Sequence, residues 1–287
     1  MASITGSARV AARVRLRYVT AMTKFEAVAT ALRNITKASV GRCPLCGYRT
    51  VYVLTNAVNA REGFQCVRCR SIARNRLVAL ALCQTLGFRA LSEARSQGLD
   101  HDVYIAAASG HILKALPIGL PRLHTSELVP GVPLGDLLPD GHSTCQDLER
   151  LTYGDASFDL VVTEDVLEHV RDPGACLHEI HRILRPGGQH IFTVPFYYDR
   201  PTLVRVDTSG QEDVLLMEEE WHGDHIRGRI LAYRTFGYDI FDQLRAHGFE
   251  SRLMLPTTAN RRAGIHDSVV FVTTKRLSSG GHQRARA

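Results

Sequence analysis

Between residues 102 and 274, short apolar runs alternate with segments of helical periodicity. Strands are predicted at residues 102–107, 122–127, 143–147, 158–163, 190–195, 250–255 and 267–274. Helices are predicted at residues 111–116, 173–184 and 238–247. Such alternation is typical of open sheets that carry helices on both faces. The sequence therefore predicts an α/β, Rossmann-like fold built on a doubly wound, mostly parallel, seven-stranded sheet.

The last two predicted strands, 250–255 and 267–274, are joined by a loop too short to hold a helix. Parallel neighbours need a long crossover, whereas antiparallel neighbours do not. We therefore expect these two strands to form an antiparallel hairpin at one edge of the sheet. The segment 197–237 breaks the alternation of strands and helices and is expected to fold over the substrate that the domain acts on.

Two pairs of cysteines, Cys43-Pro-Leu-Cys46 and Cys66-Val-Arg-Cys69, are separated by 19 residues. Two residues between cysteines let a tight turn direct both thiolates at one ion, and a hairpin between the pairs brings the turns together. The spacing predicts a zinc site made of four cysteines. Because a closed four-thiolate site has no open coordination position, this zinc is expected to be structural.

Many arginines surround the cysteine pairs. They are Arg42, Arg49, Arg61, Arg68, Arg70, Arg74 and Arg76. Ribbons of this kind often bind nucleic acid, but only Tyr48, Tyr52 and Phe64 are at hand to stack on bases. Nucleic-acid binding stays open as an alternative, and a role as a scaffold or as a gate for the substrate is favoured.

The positive charge is concentrated at the start of the chain. Residues 1–76 hold 14 Lys and Arg against Glu26 and Glu62, a net charge of +12, whereas the whole chain has +6. Such a segment suits nucleic acid, an anionic membrane surface or an acidic substrate, and it is equally compatible with a solvated basic face that has no partner.

Residues 9–33 have the apolar periodicity of an amphipathic helix. The helix is predicted to pack on the body of the protein, with binding to a membrane surface as an alternative. The Arg-rich, acid-poor composition of the first 40 residues also fits an organellar transit peptide.

The remaining cysteines, Cys83, Cys145 and Cys176, are scattered within apolar stretches. This usage favours a reducing compartment, so a cytoplasmic location is predicted. No apolar run approaches the ~18 residues typical of a membrane span, so no transmembrane segment is expected.

The block of residues 147–173, with the following Leu184-Arg-Pro-Gly-Gly188 and Phe192-Thr-Val-Pro195, has an acidic loop, strand, helix, Pro-Gly-Gly turn and strand in order. It resembles the central motifs of class I S-adenosylmethionine-dependent methyltransferases, especially the group called type 11. The resemblance extends more loosely over residues 101–274. The cysteine module, followed by Arg70-Ser-Ile-Ala-Arg-Asn-Arg76, is similar to a subgroup with a zinc ribbon ahead of this domain.

The resemblance implies cofactor contacts at the carboxyl ends of the strands, where open α/β sheets place ligands. Glu127 would accept hydrogen bonds from the ribose hydroxyls. Asp147 would receive the adenine amino group, with Leu148 beside the ring. Thr163 and Glu164 would lie next to the methionine moiety of S-adenosylmethionine.

The loop after the first strand departs from the family pattern, which has an acidic residue and then Gly-x-Gly-x-Gly. Tyr104 stands in the acidic position, Ala106 and Ala108 replace two glycines, and Gly110 remains. Glycine serves in such loops because the backbone approaches the ligand closely and often needs positive φ. Ala106, Ala108 and Gly110 are still predicted to contact the cofactor, while the departure brings the activity, and not the fold, into question.

The sequence argues against some classes of methyl acceptor more clearly than it identifies one. Residues Thr163-Glu-Asp-Val166 replace the Asn/Asp-Pro-Pro-aromatic tetrad of many nucleic-acid and protein N-methyltransferases, which favours an oxygen, or an amine of a small molecule or sugar. His222 is the candidate general base and Asp224 its orienting partner. A purely structural role for His222 stays open, and a metal site of His222 and His225 with nearby glutamates is less favoured.

The resulting domain assignment has four parts. These are a basic amphipathic helical segment at 1–40, a zinc-ribbon module with its connecting helix at 41–98, a methyltransferase domain at 99–276 and a disordered tail at 277–287. The predicted activity is S-adenosylmethionine-dependent methylation of a small molecule, saccharide or peptide-derived metabolite, at oxygen or nitrogen. The alternative is a catalytically impaired binding or regulatory protein with the same fold, and docking on nucleic acid through the basic zinc ribbon is one form of it.

Overall fold

The computed structural model describes residues 38–116, 119–224 and 226–277. The helix predicted over residues 9–33 lies outside the described residues, as does the predicted tail from 278 onward. His225, considered above as a metal ligand, also lies outside them.

The strands of the described residues follow one another in chain order. They are β1 (Ser39–Arg42), β2 (Arg49–Val53), β3 (Gln65–Cys66), β4 (Val103–Ile105), β5 (Leu123–Glu127), β6 (Thr144–Cys145), β7 (Phe158–Glu164), β8 (Leu184–Thr193), β9 (Leu203–Val204), β10 (Val206–Asp207), β11 (Val214–Leu215), β12 (Trp221–Asp224), β13 (Gly228–Leu231), β14 (Arg234–Thr235), β15 (Phe249–Met254) and β16 (Val270–Lys275).

The α-helices are α1 (Ala73–Leu86), α2 (Ala94–Gln97), α3 (His111–Ala115), α4 (Pro173–Ile183), α5 (Ile240–Ala246) and α6 (Thr258–Arg262). Short 3-10 helices lie at Ala60–Glu62, Leu91–Glu93 and Leu167–His169. Helix α4 begins where its sequence predicts, because the Asp172 carboxylate accepts the Ala175 N–H and Pro173 occupies the first turn. Helix α1 ends at Gly87, which adopts a left-handed conformation.

Seven strands form the central sheet in the order β15-β16-β8-β7-β4-β5-β6. The pairs β4–β5, β5–β6, β4–β7 and β7–β8 are parallel, and β16 is antiparallel to both of its neighbours. The predicted mostly parallel, seven-stranded, doubly wound sheet is therefore confirmed. From β4 the chain moves outward through β5 and β6 and then returns to β7 on the other side of β4, so the topological switch point lies between β4 and β7.

The predicted antiparallel edge is formed by β15 and β16. The expectation that no helix fits between them is wrong, because the connection contains the five-residue α6. A capping box explains the helix: the Thr257 hydroxyl accepts the Asn260 N–H, while the Asn260 side chain accepts the Thr257 N–H. A single capped turn has too little apolar periodicity to be predicted from a sequence pattern.

Strand β8 begins six residues before its predicted start, because Leu184 already pairs with Phe158 of β7. The pairing register of β7 and β8 then shifts between Phe158 and Leu160. At Gly188 a Cβ atom would lie 2.9 Å from the Arg185 carbonyl oxygen and 3.0 Å from the Asp159 carbonyl oxygen. Glycine is required there because two backbone segments approach each other closely.

The sheet is covered on both faces by buried apolar side chains. One cluster joins α1 and α3 with the cysteine module and includes Leu77, Leu82, Val103 and Leu160. The other joins α4 and α5 with the opposite face. Helix α1, which links the cysteine module to β4, packs on β8 and β16.

The cysteine module is a three-stranded antiparallel sheet, β1-β2-β3. It is fixed to the main sheet by the fully buried Arg76 of α1, whose guanidinium donates to the carbonyls of Ser71, Phe64 and Gly264. The Arg76 guanidinium carbon also lies 4.4 Å from the centre of the Tyr52 ring. Charge-assisted hydrogen bonds of this kind are stronger than neutral ones, so Arg76 ties the two layers together.

The segment 197–237, predicted to be irregular, contributes three two-stranded sheets in the described residues: β9 with β14, β10 with β11, and β12 with β13. Over the described ranges, no single helix is long and apolar enough to cross a membrane. The bent pair Ala73–Leu86 and Leu91–Gln97 satisfies the length and composition criteria only when taken together.

Candidate functional site

The loop after β4 lies at the switch point of the sheet. The Ala106 N–H donates to the Val162 carbonyl of β7 (3.0 Å), and the Ala108 N–H points at the Glu127 carboxylate at the end of β5 (3.5 Å). Gly110, the last loop residue, has φ +120° and ψ 179°, and a Cβ atom there would meet nothing within 4 Å. The loop is therefore open toward the edge where α/β sheets bind ligands.

The two alanines fit this loop without strain. Neither Ala106 nor Ala108 is among the described non-glycine residues that have positive φ. Among the described residues 106–110 of this loop, Gly110 alone has a positive φ, in a conformation that is almost restricted to glycine. The two alanines thus add one methyl group each, and neither requires a left-handed backbone conformation.

Tyr104, which replaces the expected acidic residue, is a core residue. Its ring is fully buried, its hydroxyl lies 2.7 Å from the Ser126 hydroxyl, and its centre lies 5.0 Å from that of Tyr153 and 5.4 Å from that of Phe158. Burial raises the pKa of Tyr104 well above its usual value, so the phenol stays neutral. The side chain points into the protein and leaves the loop backbone to face a ligand.

Asp147 and Leu148 follow β6 at the same end of the sheet. The Asp147 carboxylate accepts the Glu149 N–H (3.1 Å) and the Arg150 guanidinium (3.1 Å). The Leu148 side chain is buried. With Glu127, these residues place two carboxylates and one apolar side chain beyond β5 and β6, which is the arrangement implied by the family resemblance.

Thr163 and Glu164 end β7, and their side chains lie on opposite faces, as neighbouring strand residues do. The Thr163 hydroxyl is fully buried and lies 3.0 Å from His190 Nε2. It faces the interior of the sheet. The Glu164 carboxylate accepts from the Asn75 amide (2.8 Å) and from Arg74 (3.3 Å), so it is committed to contacts with α1.

An ion-pair network that the sequence did not predict surrounds the end of β7. Arg74 bridges Glu62 (2.9 Å), Glu164 (3.3 Å) and Asp165 (3.2 Å), and Arg61 also pairs with Asp165. Burial alone would raise the pKa of Asp165, but the charges of Arg74 and Arg61 hold it below its usual value. Two arginines assigned to a basic surface therefore face inward, and the cysteine module reaches the functional end of the sheet through them.

Three potential metal ligands meet beside this network: Glu168, His169 and His222. His169 Nε2 lies 3.1 Å from His222 Nδ1, and Glu168 Oε1 lies 3.8 Å from the former and 4.0 Å from the latter. The Glu168 side chain is fully buried, and neither carboxylate oxygen has a hydrogen-bond partner among the described residues. Burial, together with the charge of Asp165, raises the pKa of Glu168 well above its usual value.

The structure gives His222 different partners from the predicted one. Asp224 accepts the backbone N–H groups of Ile226 (2.7 Å) and Arg227 (2.6 Å) in the turn between β12 and β13. His222 Nε2 instead lies 3.1 Å from Glu220 Oε1. Within the described residues, Asp224 is thus a turn residue, and the predicted pairing with His222 is not formed. The contact between Glu220 and His222 depends on the fold of the β12–β13 hairpin, so no local sequence pattern predicts it.

The four cysteines of the N-terminal module form a compact cluster, with their sulfur atoms all within 4.8 Å of one another. Cys43 Sγ and Cys69 Sγ are 3.7 Å apart, close to the separation of about 3.8 Å that a tetrahedral ion with Zn–S bonds of about 2.3 Å requires. The buried Arg76 supplies positive charge beside them. This suits a zinc cluster, because four thiolates carry more negative charge than one divalent ion neutralises. The residues present therefore fit zinc.

Residues 134–192 match the sequence model of a protein family that is described as a methyltransferase domain. The matched segment runs from before β6 to within β8. Over this segment the chain is similar to a methyltransferase domain. This segment includes Asp147, Glu164 and Glu168, so the match covers both parts of the site. The recognition made from the motif block is confirmed, and the four-cysteine cluster that accompanies it is present.

Two curated relatives match longer parts of this chain than the family model does. An uncharacterized 37.1 kDa protein in transposon TN4556 of Streptomyces fradiae is 29% identical over 144 residues, covering 49% of this chain and 39% of that protein. An arsenite methyltransferase of Aquipseudomonas alcaligenes is 31% identical over 108 residues, covering 38% and 27%. The chain thus spans well under half the length of these relatives.

Among solved structures, a Burkholderia thailandensis 1,6-didemethyltoxoflavin-N1-methyltransferase with bound 1,6-didemethyltoxoflavin and S-adenosylhomocysteine is similar over 96% of this chain and 93% of its own. Its identity is 17% and its TM-score 0.39, a likeness too low to carry an argument about function.

Proposed function

We propose that this protein is an S-adenosylmethionine-dependent methyltransferase that acts at an oxygen or nitrogen of a small molecule, saccharide or peptide-derived metabolite. The observation that carries the proposal is the open Ala106–Gly110 loop at the switch point, with Glu127 and Asp147 beside it, in a chain whose residues 134–192 match a methyltransferase domain. Switch points at the carboxyl edge are where open α/β sheets bind ligands.

Cofactor binding is assigned to the loop and the neighbouring strand ends. The carboxylate of Glu127 would accept from the ribose, and Asp147 with Leu148 would hold the adenine. Ala106, Ala108 and Gly110 would lie against the remainder of S-adenosylmethionine through their backbone. We assign Thr163 to packing within the sheet and not to direct contact with the methionine moiety, because its hydroxyl forms a hydrogen bond with His190. Glu164 lies at the boundary between cofactor and acceptor, held by Arg74 and Asn75.

Methyl transfer is an in-line displacement. The acceptor atom forms a bond to the methyl carbon as the bond from sulfur to that carbon breaks, the sulfonium becomes a neutral thioether, and the acceptor loses a proton. The protein must therefore align the two reactants and promote loss of the proton. We assign the acceptor side to Glu168, His169 and His222, which lie just past the end of β7.

The cysteine module is assigned a structural zinc through Cys43, Cys46, Cys66 and Cys69. Arg61 lies between the two cysteine pairs, and Arg74 lies in α1 just after them. Both form ion pairs with Asp165 and so support the end of β7. A scaffold role is favoured over nucleic-acid binding because Arg61, Arg74 and Arg76 make inward contacts, which removes three of the seven arginines from a basic surface.

Calorimetry with S-adenosylmethionine tests the proposal. Micromolar binding is expected, and Asp147→Ala is expected to weaken it at least about tenfold, since a charge-assisted hydrogen bond is worth about 1.5–3 kcal/mol. Asp136→Ala, an exposed carboxylate ahead of β6, is the matched control and is expected to bind like the unaltered chain. Absence of binding at millimolar cofactor would overturn the proposal and favour the impaired, non-catalytic alternative.

A further inference from the structure

The Glu168, His169 and His222 side chains present three ligand atoms to one point. Two of them are the imidazole nitrogens that face each other at 3.1 Å, His169 Nε2 and His222 Nδ1. Such a contact is a hydrogen bond only if one of the two nitrogens carries a proton. The contacts of the opposite ring nitrogens decide whether it does.

Each imidazole has its other nitrogen committed to an acceptor. His169 Nδ1 lies 2.8 Å from the Leu231 carbonyl oxygen, which can only accept, so this nitrogen carries the proton. His222 Nε2 lies 3.1 Å from one carboxylate oxygen of Glu220, and the other oxygen pairs with Arg205. A carboxylate accepts hydrogen bonds, so this nitrogen also carries the proton. In the neutral imidazoles, both facing nitrogens are therefore lone pairs.

The third group directs a carboxyl oxygen at the same point, and this group becomes negatively charged when a cation replaces its proton. The Glu168 carboxylate is fully buried and has no hydrogen-bond partner among the described residues, and its Oε1 lies 3.8 Å and 4.0 Å from the two nitrogens. A buried carboxylate without a partner is costly, as are two lone pairs in contact. A cation between the three atoms would satisfy all of them at once.

We propose that Glu168, His169 and His222 bind a divalent transition-metal ion. Ligand bonds of about 2.0–2.2 Å in a tetrahedral site place ligand atoms about 3.4 Å apart, and the observed separations of 3.1, 3.8 and 4.0 Å bracket that value. Two imidazoles and one carboxylate favour zinc, iron, cobalt or nickel over magnesium. The Leu231 carbonyl and the Glu220 carboxylate orient the rings as outer partners do in metal sites.

Three protein ligands leave at least one coordination position open, in contrast to the four cysteines. Because the site lies just past the end of β7, that position would take an oxygen ligand of the methyl acceptor, an inference that rests on the proposed function. A metal-bound hydroxyl loses its proton to water more readily. The oxygen then attacks the methyl carbon, and neutral S-adenosylhomocysteine leaves. In this arrangement His222 is a ligand and not the general base.

Cobalt titration of the full chain, with zinc already in the cysteine module, tests the site without S-adenosylmethionine. One equivalent of Co²⁺ is expected to bind with visible d–d absorption and no thiolate-to-cobalt charge-transfer band. His222→Ala and Glu168→Gln are expected to weaken binding by about 100-fold or more, and Glu220→Gln by about 10–100-fold as an outer partner. His142→Ala, at an exposed histidine in the loop before β6, is the control and is expected to bind as before.

Binding that is equal in all variants, a charge-transfer band that places the cobalt at cysteines only, or full displacement by millimolar Mg²⁺ would overturn the proposal. Because His222 lies on a surface hairpin and is half-buried, its variant is expected to retain the far-ultraviolet circular dichroism of the parent. Metal binding and cofactor binding are measured separately, so a failed metal titration beside intact S-adenosylmethionine binding would reject the metal site alone.

Discussion

The two sides of the switch point differ in where their polar side chains find partners. On the proposed cofactor side, the Glu127 carboxylate faces the Ala108 N–H and the Asp147 carboxylate accepts from Glu149 and Arg150, so these contacts join residues that are at most 19 positions apart. On the proposed acceptor side, to which we add the neighbouring Glu164 and Asp165 at the end of β7, these two carboxylates are held by Arg74 and Arg61, which lie 90 and 104 residues earlier. The cofactor side is therefore assembled locally, whereas the acceptor side depends on how the cysteine module docks.

The largest expected effect on stability comes from loss of the zinc site, and it should disrupt the acceptor side before the cofactor side. Cys66→Ser should abolish stoichiometric zinc and lower the free energy of unfolding by at least about 5 kcal/mol, because structural zinc in small modules is worth about 10–16 kcal/mol. Metal analysis and chemical denaturation measure both quantities. Val67→Ser, at the exposed neighbouring position, is the control, and a Cys66→Ser chain with full zinc content would contradict the assignment.

The second-largest expected effect on stability comes from removing Arg74, the central arginine of the ion-pair network. Arg74→Ala leaves Glu164 and Asp165 buried with less compensation and should cost about 3–5 kcal/mol, the usual penalty for breaking a buried ion pair. Denaturant unfolding gives the change. Arg70→Ala, an exposed arginine nearby, should change stability by no more than about 0.5 kcal/mol. Equal effects of the two substitutions would show that the network does not hold the acceptor side.

The cofactor side is tested at its one strained backbone position. Gly110→Ala should cost about 1–3 kcal/mol in the loop, because φ +120° with ψ 179° is almost restricted to glycine, although a Cβ atom would have space. We expect the affinity for S-adenosylmethionine to fall about tenfold, measured by calorimetry. Gly141→Ala, in the exposed turn before β6, also has positive φ and open space and serves as the control, since it should leave cofactor affinity unchanged.

The same contrast explains what could be predicted from the sequence. The strands of the sheet follow from apolar periodicity, and Asp147 follows from its place after β6, because these signals are local. The roles of Arg74 and Asp165 are absent from any local pattern, since a buried arginine and a solvated arginine look alike in sequence. The His222-Gly-Asp224 run predicts Asp224 as the orienting partner of His222, but the Asp224 carboxylate instead accepts backbone N–H groups of the β12–β13 turn.

The smallest expected effect is a change in pH dependence at Glu164. Burial raises the pKa of this carboxyl despite the contacts with Arg74 and Asn75. Because the folded-state pKa lies above the unfolded value of about 4.3, the stabilisation by the protonated form is complete below that value. It is lost as the pH rises through the folded-state pKa.

Glu164→Gln cannot ionise and keeps an acceptor for Asn75, so it should remove this loss. Its unfolding free energy should exceed that of the unaltered chain at neutral pH by a fraction of the Arg74→Ala effect, and the difference should vanish toward pH 4. Denaturant titrations across this range measure it. The matched substitution Glu250→Gln, at an exposed edge-strand position, should leave the pH profile unchanged. If Glu164→Gln is instead less stable than the unaltered chain at neutral pH, its pairing with Arg74 outweighs the cost of burial, and the acceptor side is held mainly by charge.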